Sequence, residues 1–191
     1  RGALSREETG FLLRTVPKFF HADLLDVVVM ALVEALGKWA GGKWVHFHVQ
    51  DSGRRVIPGA DDLDLSRTVG NFLCRRHFVL ERPDAVNSGD ALRSIHTQLR
   101  RIPNKGFGYS LLRYCSGDDE IARQMASLFV QEQDLFLNYL GQESKPPTNP
   151  AAGAFRPARE STGARNHPKN KITGLGLRCD VRVNGGCLGL N

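Results

Sequence analysis

The chain has 191 residues, 41% hydrophobic and 24% charged, with a formal charge of +6. This balance excludes an intrinsically disordered chain, and the length fits one domain or one lobe of a larger one. The longest apolar run, Val27 to Val33, is far too short to span a bilayer, so no membrane protein is expected. Ser5 with Glu8 forms a capping-box pattern, which predicts a helix from Ser5 that stops near Pro17. Ala22 to Trp39 is predicted as a helix, with Leu24, Leu25, Val28, Ala31, Leu32 and Leu36 at helical spacing and Gly41-Gly42 ending it. Val27 and Val29 make that helix apolar nearly all round, the pattern of a central buried helix.

Trp44 to Gln50 alternates as a strand does, and Asp51 to Asp64 reads as a loop rich in Gly, Pro and Asp. Phe72 to Leu80 is a second strand, interrupted by Arg75-Arg76-His77. Ser88 is the expected cap of a helix from Gly89 to about Ile102, with Ala91, Ile95 and Leu99 on one face. Pro103 to Gly108 reads as a turn, followed by a short helix from Tyr109 to Tyr114. Asp118 is expected to cap another helix, through about Met125. Ser127–Val130 and Asp134–Tyr139 read as short strands, and residues 143–171, with five prolines, as a long irregular excursion. Leu175 to Leu190 alternates and predicts a hairpin turning at Asn184-Gly185-Gly186. Strands alternating with helices predict an α/β layer architecture.

No charged-then-apolar leader opens the chain, so a cytoplasmic protein is expected. Cys74, Cys115, Cys179 and Cys187 form no C-x-x-C pair and read as reduced, partly buried thiols. His46 and His48 share one side of a strand, but no third metal ligand is evident. Gly106-x-Gly108 lacks the full phosphate-binding pattern and reads as a tight turn opening a helix. Charge is concentrated late: residues 143–191 carry eight Lys/Arg against three acids, whereas the first 142 residues carry 18 against 17. That basic stretch has one aromatic, Phe155, and no nucleic-acid motif, so a solvated basic loop is preferred over a nucleic-acid surface.

Six segments in order resemble the second half of a nonribosomal peptide synthetase condensation-type domain, the epimerization variant above all. Asp26 to Leu32 resembles the family's N-D-V-L-L-x-A-L helix. Gln50-Asp51-Ser52-Gly53-Arg54-Arg55 sits where epimerization domains carry E-G-H-G-R-E. Asp64 to Gly70 matches D-x-S-R-T-V-G, and Gly106 to Tyr109 matches the start of G-x-G-Y-G. Phe136 to Gln142 is similar to F-N-Y-L-G-Q with Leu137 added, and Phe155-Arg156-Pro157 with Glu160 to Gly163 resembles the segment that follows. The family's His-His-x-x-x-Asp-Gly motif is absent.

The resemblance implies a chloramphenicol acetyltransferase-like α/β lobe, a mixed sheet flanked by helices. All of residues 1–191 would form this second half of a two-lobed, V-shaped domain. It implies epimerization, or peptide-bond condensation, on an aminoacyl or peptidyl thioester held by the phosphopantetheine arm of a carrier protein. No directly bound cofactor or metal is implied. Partners would be an acyl or peptidyl carrier protein, with the basic tail facing its acidic surface, and a complementary N-terminal lobe carrying the paired histidines. The implied catalytic positions are Tyr139, Asn138 and Gln50, the last degenerate because the family has glutamate there. A carboxamide has no useful basicity, and losing a general base typically costs on the order of 10²–10⁴ in rate. Asp51 is adjacent, but successive strand side chains point to opposite faces. Arg67, Gly70, Asn71, Gly108 and Tyr109 are the implied tunnel positions, Asn71 standing where the family has tryptophan. Arg67 is also the natural ion-pair partner of Asp64 or Asp62. The polar run Cys74-Arg75-Arg76-His77 replaces a largely apolar segment, which requires either local exposure or weak functional constraint. The last strand stops at Asn191 and the first helix starts almost at residue 1, so both ends are expected to be cut from a longer chain. The expectation for the isolated chain is little or no activity, with a carrier-docking scaffold or a decayed fragment as the alternatives.

Overall fold

The computed structural model describes residues 1–54, 64–128, 135–142 and 177–191. Their strands are β1 (Gly2–Ala3), β2 (Trp44–Ser52), β3 (Leu73–Glu81), β4 (Leu135–Gln142), β5 (Leu177–Asn184) and β6 (Cys187–Leu190). They form a mixed sheet in the order β1-β6-β5-β4-β2-β3. β2, β4 and β5 run parallel, and the β2–β3, β5–β6 and β1–β6 pairs are antiparallel. The helices are α1 (Arg6–Phe20), α2 (Leu24–Ala40), α3 (Ser88–Arg101), α4 (Gly108–Cys115) and α5 (Asp119–Leu128).

One face of the sheet carries the core. Val45, Phe47, Val49, Phe78, Leu80, Leu137, Val181 and Val183 meet Leu24, Val28, Val29 and Val33 of α2 and Ile95 of α3. Val29 and Val33 are 1% and 0% exposed, as the continuous apolar run of α2 requires. Capping boxes start α1 (Ser5 with Glu8) and α2 (Asp23 with Asp26). Each box satisfies two N–H groups that no helical carbonyl can reach. Buried Thr9 ties α1 to the sheet, its Oγ1 accepting the Leu188 N–H at 2.9 Å. The Asp26 carboxylate meets His96 Nδ1 at 2.9 Å and joins α3 to α2.

Several boundaries differ from the sequence expectation. α1 runs through Pro17 to Phe20. Pro17 donates no N–H and its ring crowds the carbonyl four residues back, but it stands in the last turn, where its own carbonyl still accepts the N–H of left-handed His21 at 3.1 Å. The cap of α3 is Asn87, whose Oδ1 accepts the Asp90 N–H at 3.0 Å; Ser88 is inside the helix. Asp118 does cap α5, accepting the N–H groups of Glu120 and Ile121 at 2.8 and 3.2 Å. That helix absorbs Ser127 and Leu128, expected from the sequence in a strand, because an established helix extends at little entropic cost. β2 extends two residues past Gln50, through Ser52. The turn expected at residues 184–186 joins β5 to β6, with Gly185 and Gly186 at φ of 57° and 84°. The excursion at 143–171, the segments from Phe155 to Gly163, and residues 55–63 of the expected loop lie outside the described residues. So do 129–134 of the expected short strands.

β3 is the edge of the described sheet, which explains its polar run. Arg75 is exposed, Arg76 is buried but paired, and His77 is half-buried. Gln98 of α3 satisfies part of the open edge, bonding the Glu81 N–H at 2.8 Å and its carbonyl at 3.0 Å. Next comes a 3-10 turn, Pro103–Gly106, that wraps the same edge. Gly106 has φ +85°, and a Cβ there would meet Arg76 Cβ, the His77 carbonyl and the Phe78 ring at 3.4–3.6 Å. The wrap delivers α4 to the opposite face of the sheet, where the Tyr109 ring lies 4.3 Å from that of His77.

Candidate functional site

On the face away from α1–α3, the parallel strands set Gln50, Asn138 and Asp180 side by side. Gln50 registers with Asn138 across β2 and β4, and Asn138 with Asp180 across β4 and β5. Asn138 is 5% exposed, and its Nδ2 donates to Asp180 Oδ1 at 2.8 Å. Arg178 Nε donates to both Asp180 oxygens at 2.9 Å, and its guanidinium stacks 5.3 Å over the Phe136 ring. The row is thus two carboxamides and one carboxylate already held by two donors. Such a group orients and hydrogen-bonds a ligand readily but offers no unpaired carboxylate as a base.

Behind Gln50 on the same side lies His48, 3% exposed, with its ring 4.8 Å from Phe136 and 5.6 Å from His77. Its Nε2 is buried and has no partner among the described residues. Burial, followed by the nearby Arg75 charge, lowers the His48 pKa to about 4. Burial also lowers His77 to about 4, with His48, Arg113 and Arg75 adding repulsion. Both rings are therefore neutral near pH 7. Tyr109 caps the pair, its hydroxyl accepting from Arg113 Nη1 at 2.7 Å.

Tyr139 is on the other face. It follows Asn138 in β4 and packs partly buried against the helical core, and burial, then the Asp23 charge, raises its phenol pKa. The structure therefore brings Gln50 and Asn138 together and turns Tyr139 away from them, with a register shift in β4 just beyond it. Asp51 also faces the helical side, where its carboxylate meets Arg76 at 2.8 Å; Arg76 further donates to the Lys105 carbonyl at 3.1 Å.

Arg67, Gly70 and Asn71 are exposed, at the same end of β2 as Gln50. Arg54 pins their segment: it donates to the Leu65 carbonyl at 2.7 Å and the Gly70 carbonyl at 3.4 Å, and stacks 4.2 Å over Phe72. Asp64 accepts the Ser66 N–H at 2.9 Å, and among the described residues no ion pair joins it to Arg67; Asp62 lies outside the described residues. Asn71 accepts the Leu73 N–H at 3.1 Å, a strand-entry role that suits a polar residue. Gly108 opens α4, and Tyr109 follows it beneath the sheet.

Sequence reasoning missed Asp180, the Asp51–Arg76 pair and the His48–His77 contact. H-x-H spacing placed His48 on a face, but its neighbours come from β3 and β4, which only the sheet order supplies. Among the described residues no three His, Cys, Asp or Glu side chains converge as metal ligands, and all four thiols are unbridged. No helix among them is long and apolar enough to cross a membrane.

No protein-family model matches the chain. A linear gramicidin synthase of Brevibacillus parabrevis is 35% identical over 172 residues, 90% of this chain and 3% of that protein. The crystal structure of the epimerization domain from the third module of a tyrocidine synthetase matches at a TM-score of 0.80 and 27% identity, over 99% of this chain and 40% of that one. The nonribosomal peptide synthetase cyclization-docking bidomain from Sorangium cellulosum, at 14% identity and a TM-score of 0.57 over 99% of this chain and 35% of that one, shares the fold. The chain thus spans a small fraction of its curated relatives and less than half of the solved epimerization domain. The sequence relatives, with the match to the solved epimerization domain, establish its family. The chain belongs to the condensation/epimerization domains of nonribosomal peptide synthetases, as a chloramphenicol acetyltransferase-like C-terminal lobe of the epimerization type.

Proposed function

We propose that residues 1–191 form one lobe that supplies half of a site for an aminoacyl or peptidyl thioester tethered to a carrier protein by phosphopantetheine. The lobe alone turns over little or none of that substrate. Gln50 is the observation that carries this reading. It registers with Asn138 on one face, yet it is a carboxamide where the resembled motif has glutamate. Epimerization removes and returns a proton at Cα, which requires a base near the substrate. Asp51 faces the other way and is paired to Arg76, and Asp180 is held by Arg178 and Asn138. Gln50 and Asn138 would then hydrogen-bond the thioester or amide groups, and the paired histidines would come from a complementary N-terminal lobe. The same carboxamide favours a second reading, a non-catalytic module that docks a carrier protein.

The test is deuterium incorporation at Cα of a carrier-loaded aminoacyl thioester in D₂O, read by mass spectrometry. The chain alone should add nothing above carrier alone. Gln50→Glu together with a separately supplied first lobe bearing His-His-x-x-x-Asp-Gly should raise exchange by on the order of 10²–10⁴. Exchange by the unaltered chain alone would overturn the reading. Carrier binding in a parallel titration, with no exchange under any condition, would leave the docking module.

A further inference from the structure

We propose that the cleft between the first half of β3 and α4 receives the side chain of the carrier-bound residue and selects a large aromatic one. This rests on the thioester-site reading, whose substrate class it narrows. Position is the first argument. Arg75, on the cleft wall, registers with Gln50 across β2 and β3, so the cleft begins one strand spacing, about 4.8 Å, from the row that would hold the thioester. It also opens on the same side of the sheet.

Size and lining are the second argument. The cleft has a volume of about 520 Å³, within the range of small-molecule sites and ample for an indole or phenol ring. Its walls include Leu73, Phe107, Leu111 and Tyr114, together with Ser110 and His77. Leu73, Leu111 and Tyr114 are 61%, 52% and 65% exposed, and apolar surface gathered around an open cleft marks a binding site.

Charge decides among apolar and polar occupants. Arg75 is exposed on this wall, and among the described residues no ion pair engages it. A lysyl, ornithyl or arginyl side chain would meet a like charge there. An acidic one would gain a solvent-exposed pair of small worth and leave the apolar walls wet. An aromatic ring covers the walls and presents its π face to the guanidinium. The cleft's own neighbourhood already does this: Arg113 lies 5.1 Å from the centre of the Tyr114 ring.

The test titrates the ¹⁵N-labelled chain with three unreactive pantetheine amides, of N-acetylphenylalanine, N-acetylalanine and N-acetylornithine. The phenylalanine compound should bind about 10-fold more tightly than the alanine compound, with the ornithine compound weakest and amide shifts at Ser110, Leu111 and Gln50. Ser110→Trp fills the cleft and should reduce the phenylalanine compound to alanine-level binding without weakening the alanine compound. Leu111→Ala, on an exposed wall that leaves the core intact, should reduce the phenylalanine preference severalfold. Equal binding of all three, with shifts at Gln50 and Asn138 but none on α4, would overturn the aromatic cleft and leave the thioester site standing. No binding by any of the three would overturn both.

Discussion

Toward α1, α2 and α3 the sheet presents Phe47, Val49, Leu137 and Val181, each at most 3% exposed. From the same strands the opposite side presents His48, Gln50, Asn138 and Asp180. The covering helices differ as sharply: α2 buries five residues, whereas α4 and α5 bury none. Apolar burial on the first side supplies the stability of the lobe. On the second side the polar row is itself buried or partly buried, and the cleft beside it is lined by the exposed apolar side chains of Leu73, Leu111 and Tyr114. Under the function proposed above, that second side would be the one turned toward substrate and the complementary lobe.

Leu137→Ala strikes the finished side and should have the largest effect, costing about 2–5 kcal/mol of unfolding free energy in denaturant titration. A cost near zero would mean that the two sides are not so different. Asp51→Ala should cost about 3 kcal/mol, because it strands the buried Arg76 guanidinium. Asp51→Ala combined with Arg76→Met should recover much of that loss, whereas simple loss of packing would make the double variant worse.

The two imidazoles sharpen the comparison through pH. His48 and His77 titrate at about 4 in the fold against 6.5 when free. As pH falls from about 6.5 to 4, the unfolded chain takes up protons that the folded rings refuse. Stability should therefore fall across that window and be fully present above it. His48→Phe keeps the ring packing and removes one of the two contributions, so the melting temperature should depend less on pH between 6.5 and 4. An unchanged slope would show that the buried ring is not what resists protonation.

Smaller effects test the local assignments. Asn87→Ala should cost about 1 kcal/mol as the lost cap of α3, and Ser88→Ala less than about 0.5 kcal/mol. Leu111→Ala on α4 should also stay within about 0.5 kcal/mol, since that residue is half exposed. A larger loss would mean that the second side is more tightly built than its exposure indicates.

Much of this protein could be read from local pattern. The capping box at Ser5, the apolar run from Val27 to Val33, the alternation of Trp44 to Gln50 and the Gly-Gly hairpin turn follow from hydrogen bonding and side-chain period over a few residues. The order of the family-like segments, and the carboxamide at Gln50, were equally visible. Tertiary structure decided the rest, because it depends on which distant strands are neighbours. Only the sheet order places Gln50 beside Asn138 and Asp180. Only the edge position of β3 makes the run from Cys74 to His77 tolerable, with Arg76 closed by Asp51 and by a carbonyl from the turn that wraps it. The turning of Tyr139 away from Asn138 follows from the two-residue period of β4, but which face carries the helices is set by the packing of α1–α3. A side chain's neighbours across a sheet are fixed by register between segments dozens of residues apart, and no local window contains that information.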